Sequence, residues 1–292
     1  MNGALSTEGQ APQFSLVVAT VDRRAALCRL LDSLSAQTRR DFEVIVVDQN
    51  EDDRLAAILR QPRAFAVRHL HTGELGGASA ARNVGWREAR GAILVFPDDD
   101  CWYPADYLER MARLFRKTTA SLVTGRATDL AGTTINGRFE RRAGSIGRHN
   151  AFTTQIEWNM GIRRELMQQL GGYDEAISLG GPTPWQGGEG YDIVLRAVAA
   201  GARCRYDPAL TGYHDELPVQ RPDAVMIAKG RAYARGLGFV LHKHRYGRST
   251  AAWWIARSLV NLALSALRLR PDRMRYYGGQ ALGRWEGWAG RA

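Results

Sequence analysis

The sequence predicts an α/β fold, with helices flanking a mostly parallel central sheet. Apolar, β-branched runs alternate with segments whose apolar residues recur at helical spacing. The run at 93–96 has no polar alternation, which is typical of a strand that is buried on both faces. The runs at 42–48 and 93–96 each lead into aspartate. Because ligands of open α/β sheets bind at the carboxyl ends of strands, these aspartates mark the expected site.

The N-terminal part of the chain predicts regular alternation of strands and helices. A first strand at 14–20 precedes a helix that Asp22 can cap. The apolar positions of this helix recur at helical spacing, at Ala26, Leu27, Leu30, Leu31 and Leu34. The next predicted elements are a strand at 42–48, a short helix at 54–59, a strand at 66–70, a Gly-rich turn at 73–77, a helix at 78–90 and the strand at 93–96.

The second half of the chain is less regular. Its predicted elements are a helix at 104–115, a strand at 122–125, an irregular insert or hairpin at 126–150, a strand at 157–162, a helix at 164–170, a Gly-rich loop at 178–190, a helix at 191–200 and a short strand at 203–206.

We predict three parts: a disordered N-terminus at 1–13 without a signal peptide, one α/β domain at 14–228, and a basic helical tail at 229–292.

The positive charge of the chain is concentrated in the tail. The net charge is +10, and residues 229–292 hold 13 Lys and Arg against two acidic residues. The remaining residues hold 27 Lys and Arg against 28 acidic residues, so they are close to neutral. Such asymmetry indicates an anionic partner surface for the tail. The three cysteines are far apart in sequence, which disfavours a disulfide framework or a zinc site.

Three adjacent aspartates, Asp98, Asp99 and Asp100, follow the strand at 93–96. Their charges repel one another, so a folded chain keeps them together where a cation neutralises them or water solvates them. Mg²⁺ and Mn²⁺ prefer carboxylate oxygens and bind phosphates as well. The cluster therefore has the composition of a metal–phosphate site, and a solvated acidic turn is the alternative.

Seven segments together resemble family 2 of the inverting glycosyltransferases, which have the GT-A fold. They are Val17-Val18-Ala19-Thr20, Val46-Val47-Asp48, Ala81-Arg82-Asn83-x-Gly85, Phe96-x-Asp98-Asp99-Asp100, Gly171-Gly172-Tyr173-Asp174, Gly188-Glu189-x-x-Asp192-x-x-x-Arg196 and Tyr213-His214. Their order and spacing match over residues 14–216, within the predicted GT-A catalytic domain at 14–228. The resemblance implies a nucleotide-diphosphate sugar donor of the UDP-sugar or dTDP-rhamnose type, a divalent metal (Mn²⁺ or Mg²⁺) and inversion at the anomeric carbon.

The resemblance also implies roles on the donor side of the site. Asp100, Asp98 and His214 correspond to the metal ligands, and Asp98 or Asp99 accepts hydrogen bonds from the ribose. Asp48 corresponds to the carboxylate that binds the edge of the nucleotide base. The family usually has a second Asp next to it, where this chain has Gln49. The remaining donor-binding positions are Ala19, Thr20 and Arg82. A surface arginine at Arg82 and a buried, hydrogen-bonded histidine at His214 are the alternatives.

Inversion by direct displacement needs a carboxylate to take the proton of the acceptor hydroxyl. The family places it in a Glu-Asp pair, but here the pair is Glu189-Gly190. Glu189 is the first candidate base and Asp192, one helical turn on, the second. A charge facing the helix dipole is the alternative for Asp192. Trp185 is a candidate for stacking on an acceptor sugar, and a core tryptophan is the alternative.

The tail predicts helices at 229–244 and 251–267. The second is interrupted by Arg257 and Asn261 and is short for a membrane span. Its Trp253 and Trp254 suit a helix lying in the membrane surface, where arginines at 268, 270, 273 and 275 would meet anionic headgroups. We therefore expect a cytoplasmic enzyme, peripheral on the inner face of the cell membrane, that acts on a glycan or polyprenyl-linked acceptor. Packing of the tail on the core or on a second subunit is the alternative, and nucleic-acid binding is not expected.

Two other classes of function stay open on the sequence. A nucleotidyltransferase also combines an α/β fold with acidic metal ligands, but it should carry a Gly-rich, Lys-bearing loop after its first strand. This chain has Val21-Asp22-Arg23-Arg24 there. A non-catalytic nucleotide-sugar-binding protein is the second alternative, because Gly190 stands where the family has an aspartate.

Overall fold

The computed structural model describes residues 11–291 of the chain, and an eight-stranded sheet forms its centre. The strands are β1 (Phe14–Thr20), β2 (Phe42–Asp48), β3 (Ala66–His71), β4 (Ile93–Val95), β5 (Leu122–Thr128), β6 (Gly144–Ser145), β7 (Met160–Arg163) and β8 (Cys204–Tyr213). The helices are α1 (Arg24–Ser35), α2 (Ala56–Leu59), α3 (Ala78–Glu88), α4 (Tyr107–Thr118), α5 (Arg164–Leu170), α6 (Glu189–Ala199), α7 (Ala224–Lys243), α8 (Arg248–Leu267) and α9 (Pro271–Trp288).

The sheet has the strand order β3-β2-β1-β4-β7-β5-β8-β6. Strands β3, β2, β1 and β4 are parallel, and β7 lies antiparallel between β4 and β5. The register pairs Thr20 with Asp48 and bridges Ala19 to Asp98. The carboxyl ends of the first, second and fourth strands therefore meet at one edge, as the sequence predicts.

Two apolar layers sandwich the sheet, because alternate residues of its strands face opposite sides. Leu16 and Val18 of β1 pack with the buried leucines of α1 and with Tyr107 and Met111 of α4. Val17 packs on the other side, with residues of α3, α5 and α6. The predicted helix-flanked, mostly parallel α/β fold is confirmed.

The last three helices form a bundle that packs on the α/β core, and they pack against one another. Gly236 of α7 lies against the backbone of residues 186 and 187, where a Cβ atom would fall 1.9 Å from the Gly187 carbonyl oxygen. Val240 of α7 is fully buried in the same apolar layer as α6. None of the helices within residues 11–291 combines the length and the apolar content that crossing a bilayer requires.

Several predicted elements differ from the structure. Residues Glu157–Asn159 form a 3₁₀ turn before β7, in place of the first half of the strand predicted at 157–162. Helix α6 begins at Glu189, two residues earlier than predicted. Asp22 does not cap α1 and instead accepts a hydrogen bond from Arg54 (2.5 Å). Most of the predicted disordered N-terminus, residues 1–10, lies outside the described residues.

The end of the chain differs most from the sequence-based prediction. Helix α7 starts at Ala224, ahead of the predicted boundary at 229, and α9 covers a part of the predicted helical tail to which no individual helix was assigned. Helix α9 contains four glycines and several arginines, which interrupt the apolar pattern of an amphipathic helix. Its helical periodicity in the sequence is therefore weak.

Candidate active site

A cleft of about 1110 Å³ opens at the carboxyl ends of β1, β2 and β4. The strand ends and the aspartate cluster form one wall, and the first turn of α6 forms another. Helices α7, α8 and α9 contribute a third wall, through Tyr233, Trp254, Tyr276 and Arg284. The C-terminal bundle is therefore part of the cleft.

The three aspartates of the cluster have different partners. Asp98 accepts a hydrogen bond from Arg82 (2.8 Å), and Asp99 accepts one from the Thr20 hydroxyl (2.7 Å). Asp100 contacts Arg23 and lies 3.1 Å from Nε2 of His214. All three line the cleft, as do Ala19 and Arg82, whereas Thr20 lies behind the cluster and positions Asp99.

Asp99 is the most buried of the three carboxylates. Burial raises its pKa to about 6, against the hydrogen bond from Thr20 and the charge of Arg23. Asp98 is about one-third exposed at its side chain, so it can meet a ligand that enters the cleft.

Asp100 and His214 together fit a divalent cation. A carboxylate oxygen and an imidazole nitrogen suit Mn²⁺, and Mg²⁺ accepts one or two carboxylates when phosphate oxygens complete its shell. Within residues 11–291, no group of three His, Cys, Asp or Glu side chains is gathered closely enough to hold an ion alone. The donor set therefore fits an ion that shares its shell with a diphosphate.

Glu189 lies at the first residue of α6 and lines the same cleft as the three aspartates. Gly188 before it has φ +105°, which turns the chain into the helix, and the Leu179 amide donates to the Glu189 carboxylate (2.8 Å). The side chain is almost fully buried. Burial raises the pKa of Glu189, while the nearby Arg82 charge opposes the rise.

Glu157 is a second buried carboxyl in this wall. Its carboxylate lies 3.2 Å from Arg82, which also pairs with Asp98. One guanidinium thus faces three carboxyls, since the charge of Glu189 acts on it too. Burial raises the pKa of Glu157, Arg82 opposes the rise, and Glu189 adds to it. Sequence reasoning missed Glu157, because it fell within a predicted strand and nothing local marks its approach to Arg82.

The structure places Asp192, the second candidate base, outside the cleft. It is 1% exposed, and its two oxygens accept from Arg196 (2.8 Å), Lys243 (2.6 Å) and His244 (2.8 Å). Although burial opposes ionisation, the hydrogen bond from His244 and the charges of Arg196 and Lys243 hold the pKa of Asp192 well below its usual range. Asp192 connects α6 to α7 and has no free oxygen for an acceptor.

Two further predicted residues also have structural partners. Asp48 is fully buried and accepts hydrogen bonds from Asn50 (2.6 Å) and His69 (2.8 Å), so Gln49 and Asn50, not Asp48, line the cleft at this edge. Trp185 stacks on Phe239 of α7, with ring centroids 4.4 Å apart and 5° between the planes. It does not line the cleft and anchors the loop before α6 to the C-terminal bundle.

Comparison with known sequences gives one family and a set of relatives. A family model described as "Glycosyl transferase family 2" matches residues 15–174. An uncharacterized glycosyltransferase of Haemophilus influenzae is 38% identical over 91 residues, 31% of this chain and 30% of that relative. Glycosyltransferase AglE of Haloferax volcanii is 25% identical over 226 residues, covering 71% of this chain and 68% of AglE. The chain thus spans about a third of the Haemophilus relative.

Solved structures share the fold at low sequence identity. S. aureus TarS 1-349 aligns with a TM-score of 0.57 and 18% identity, over 96% of this chain and 92% of that one. The mannosyltransferase PcManGT of Pyrobaculum calidifontis, solved in complex with GDP-Man and Mn²⁺, aligns with a TM-score of 0.64 and 19% identity, over 95% and 88%. At such identities the likeness establishes the fold of this chain, and it extends into the C-terminal bundle.

Proposed function

Because the chain belongs to glycosyl transferase family 2, we propose that it moves one sugar from a nucleoside-diphosphate donor to a hydroxyl of a glycan or lipid-linked acceptor, with inversion. The donor is of the UDP-sugar or dTDP-rhamnose type, and the product belongs to bacterial surface polysaccharide. One observation carries the proposal: Glu189, Asp98 and Asp100 line the same cleft. Direct displacement requires a base and a diphosphate site held at one place.

Glu189 is the proposed base. Its carboxylate takes the proton of the acceptor hydroxyl while that oxygen bonds to the anomeric carbon. The bond from this carbon to the diphosphate oxygen breaks, and the diphosphate leaves with the electron pair. The Leu179 amide and the start of α6 fix the carboxylate. Because burial raises its pKa, Glu189 is a stronger base than an exposed glutamate.

The donor is assigned to the wall formed by the strand ends. Ala19 and Arg82 face the donor, and Asp98 and Asp99 accept from its ribose. Thr20 and Asp48 act on the donor site through neighbouring residues. The Thr20 hydroxyl donates a hydrogen bond to Asp99, and Asp48 accepts one from the Asn50 side chain. Asp100 and His214, with Asp98 beside them, are assigned to Mn²⁺ or Mg²⁺. When bound, such an ion offsets the negative charge that develops on the departing diphosphate.

Substitution of Asp100 tests the metal assignment. We expect Asp100→Asn to weaken Mn²⁺-dependent donor binding by roughly tenfold or more, because the amide loses the ligand charge. Titration calorimetry with and without EDTA measures the effect. Asp32→Asn, at an exposed position of α1, is the matched control. Equal donor affinity of the wild type with and without EDTA would contradict the assignment.

The acceptor side is proposed to meet a membrane surface. Helix α8 buries small residues, Ala251, Ser258 and Ser265, and exposes Trp253, Val260 and Leu267. A helix that turns its large apolar residues outward has an unused apolar face. Arg268, which follows Leu267, and Arg275 of α9 are also exposed and could meet an anionic surface. These features support peripheral attachment on the cytoplasmic face.

A donor-hydrolysis screen tests the function. Wild-type protein is incubated with UDP-sugars, GDP-mannose and dTDP-rhamnose in Mn²⁺, and the products are identified. We expect slow release of nucleoside diphosphate from one donor. Pyrophosphate or nucleoside monophosphate chemistry would instead support a nucleotidyltransferase. Donor binding with no turnover, even with added glycan acceptors, would support a nucleotide-sugar-binding protein.

A further inference from the structure

A second pocket of about 350 Å³ adjoins the cleft beside Glu189. It shares Glu157, Glu189, Tyr191 and Trp254 with the cleft but includes none of the three clustered aspartates. Arg138 and Arg257 line this pocket, and Arg284 lines the adjoining part of the cleft next to Trp254. We call these three side chains the arginine cluster.

Two members of the arginine cluster contact the same aromatic ring. The Arg257 guanidinium lies 5.0 Å from the ring centroid of Trp254, and the Arg284 guanidinium lies 5.2 Å from it. Arg284 also donates to the Trp254 carbonyl oxygen (2.7 Å) and to the Ser258 hydroxyl. These contacts place one guanidinium of α8 and one of α9 beside the same tryptophan ring. They supply no negative charge.

No carboxylate of the described residues forms an ion pair with the cluster, whereas nearby cations of the bundle are paired. Arg235 lies 2.8 Å from Glu286, and Lys243 lies 2.6 Å from Asp174. Arg138 and Tyr191 act on the charge of Arg257, and Arg257, Tyr276 and Tyr191 act on that of Arg284. Burial and the charge of Arg257 lower the pKa of Arg284 to about 10. Arg257 and Arg284 are thus partly buried cations without an ion-pair partner among the described residues, and Arg138 beside them is exposed.

Uncompensated charges at this depth disfavour the folded state unless a ligand neutralises them. Nε of Arg284 is buried and has no hydrogen-bond partner among the described residues, so a donor remains available. Guanidinium groups bind phosphate oxygens through paired N–H donors, and two or three of them suit a group with more than one negative charge. The pocket therefore has the chemistry of a phosphate-binding site.

We propose that the arginine cluster binds a phosphate or diphosphate group carried by the acceptor. The inference rests on the proposed function and specifies its substrate class. The donor diphosphate is assigned to the aspartate wall, whereas Arg138 and Arg257 line a pocket beside Glu189 that includes none of those aspartates. Two anionic groups thus bind near the base. One is the diphosphate that leaves the donor sugar, and the other is the phosphate that anchors the acceptor. The rings of Phe152, Tyr191 and Trp254 supply apolar surface beside the anion.

Binding of geranyl diphosphate, with inorganic pyrophosphate and geraniol as comparison probes, tests the proposal. Calorimetry is done in EDTA, so that metal-dependent binding at the aspartate wall is suppressed. We expect the wild type to bind geranyl diphosphate and not geraniol. Arg257→Gln with Arg284→Gln should weaken this binding by roughly tenfold or more, because charged hydrogen bonds are lost. Arg113→Gln, at an exposed position of α4, should bind like the wild type.

Several outcomes separate the possible sources of binding. Equal affinity for pyrophosphate and geranyl diphosphate assigns recognition to the phosphates alone, and tighter binding of geranyl diphosphate adds the aromatic surface. Both results support the proposal. If neither probe binds, the proposal is overturned. Undiminished binding by the double variant also overturns it. Should that variant unfold, Arg257→Lys with Arg284→Lys keeps the charge and is expected to bind with intermediate affinity, and binding as tight as that of the wild type would count against the site.

Donor hydrolysis distinguishes failure of this inference from failure of the proposed function. If wild-type protein in Mn²⁺ releases nucleoside diphosphate from a donor but does not bind geranyl diphosphate, the proposed function stands and this inference fails. If the wild type hydrolyses no donor but still binds geranyl diphosphate, the proposed function fails and the phosphate site remains.

Discussion

At the scale of single residues, the site depends on how one arginine is shared among three carboxyls. Arg82 pairs with Asp98 and Glu157 and also acts on Glu189. A single positive charge cannot neutralise all three carboxylates in a buried setting. The pKa values of Glu157 and Glu189 are therefore both raised, because burial and mutual repulsion favour retention of a proton. The basicity of Glu189 is set by its neighbours.

Substitution of the proposed base is the most direct test at this scale. Glu189→Gln keeps the shape of the side chain but cannot accept a proton, so we expect turnover to fall by roughly 10²- to 10⁴-fold with donor affinity retained. Initial rates and donor titration measure the two quantities. Glu165→Gln, at an exposed position of α5, is the control. Activity within a few-fold of the wild type would show that the base lies elsewhere.

Glu157 gives a prediction about the pH dependence of the reaction. Burial raises the pKa of Glu157 to about 8, so its carboxyl is neutral through most of the acidic range. Glu157→Gln therefore removes no charge there, and since the base works in its ionised form, the acidic limb of kcat against pH should keep its wild-type position. The groups facing Glu157 are Arg82, Asp98, Tyr173 and Glu189. A shift of that limb to lower pH by roughly one unit would show instead that Glu157 is ionised beside the base.

At the scale of elements, close backbone contact joins the C-terminal helices. Gly283 and Gly287 of α9 face α7, where a Cβ atom would lie 2.3 Å from the Arg231 carbonyl oxygen and 2.0 Å from that of Arg235. Gly279, one turn earlier, would place its Cβ 3.5 Å from Arg231, which is an ordinary contact. The three glycines recur every four residues. Gly283 and Gly287 leave no room for a side chain, whereas Gly279 does.

This difference gives a matched pair of substitutions. We expect Gly283→Ala to destabilise the fold by roughly 1–3 kcal/mol, because α9 must move away from α7. Gly279→Ala should be neutral or stabilising by up to about 1 kcal/mol, because alanine favours the helix. Thermal unfolding followed by circular dichroism compares the two. Equal melting temperatures for both variants would mean that α7 and α9 do not pack this closely.

Sequence reasoning succeeded where a local pattern determines the structure. β-Branched runs identify β1 and β2 at their observed bounds, and the aspartates after β4 mark the cleft. It failed where contacts between distant segments decide. The approach of Glu157 to Arg82 and the position of Trp185 on Phe239 leave no local signal. Helix α9 was missed because its glycines serve packing and lower its helix propensity.

At the scale of the whole molecule, the C-terminal bundle connects the cleft to an exposed apolar face. The inner side of α8 gives Trp254 and Arg257 to the pocket beside Glu189. Its outer side exposes Leu259, Val260 and Leu264. Deletion of the tail would therefore remove part of the cleft as well as the proposed membrane contact, so point substitutions are needed to separate the two roles.

Val260→Glu isolates the proposed membrane contact. Val260 is 58% exposed, so the substitution should leave the fold and donor hydrolysis intact. Burying an apolar side chain in a bilayer is worth about 1.5–3 kcal/mol, and a glutamate also repels anionic lipid, so co-sedimentation with phosphatidylglycerol vesicles should fall roughly tenfold or more. Leu130→Glu, at an exposed residue outside the bundle, should sediment like the wild type. If Val260→Glu leaves sedimentation unchanged but converts a dimer to a monomer in light scattering, this face of α8 joins two subunits and does not contact lipid.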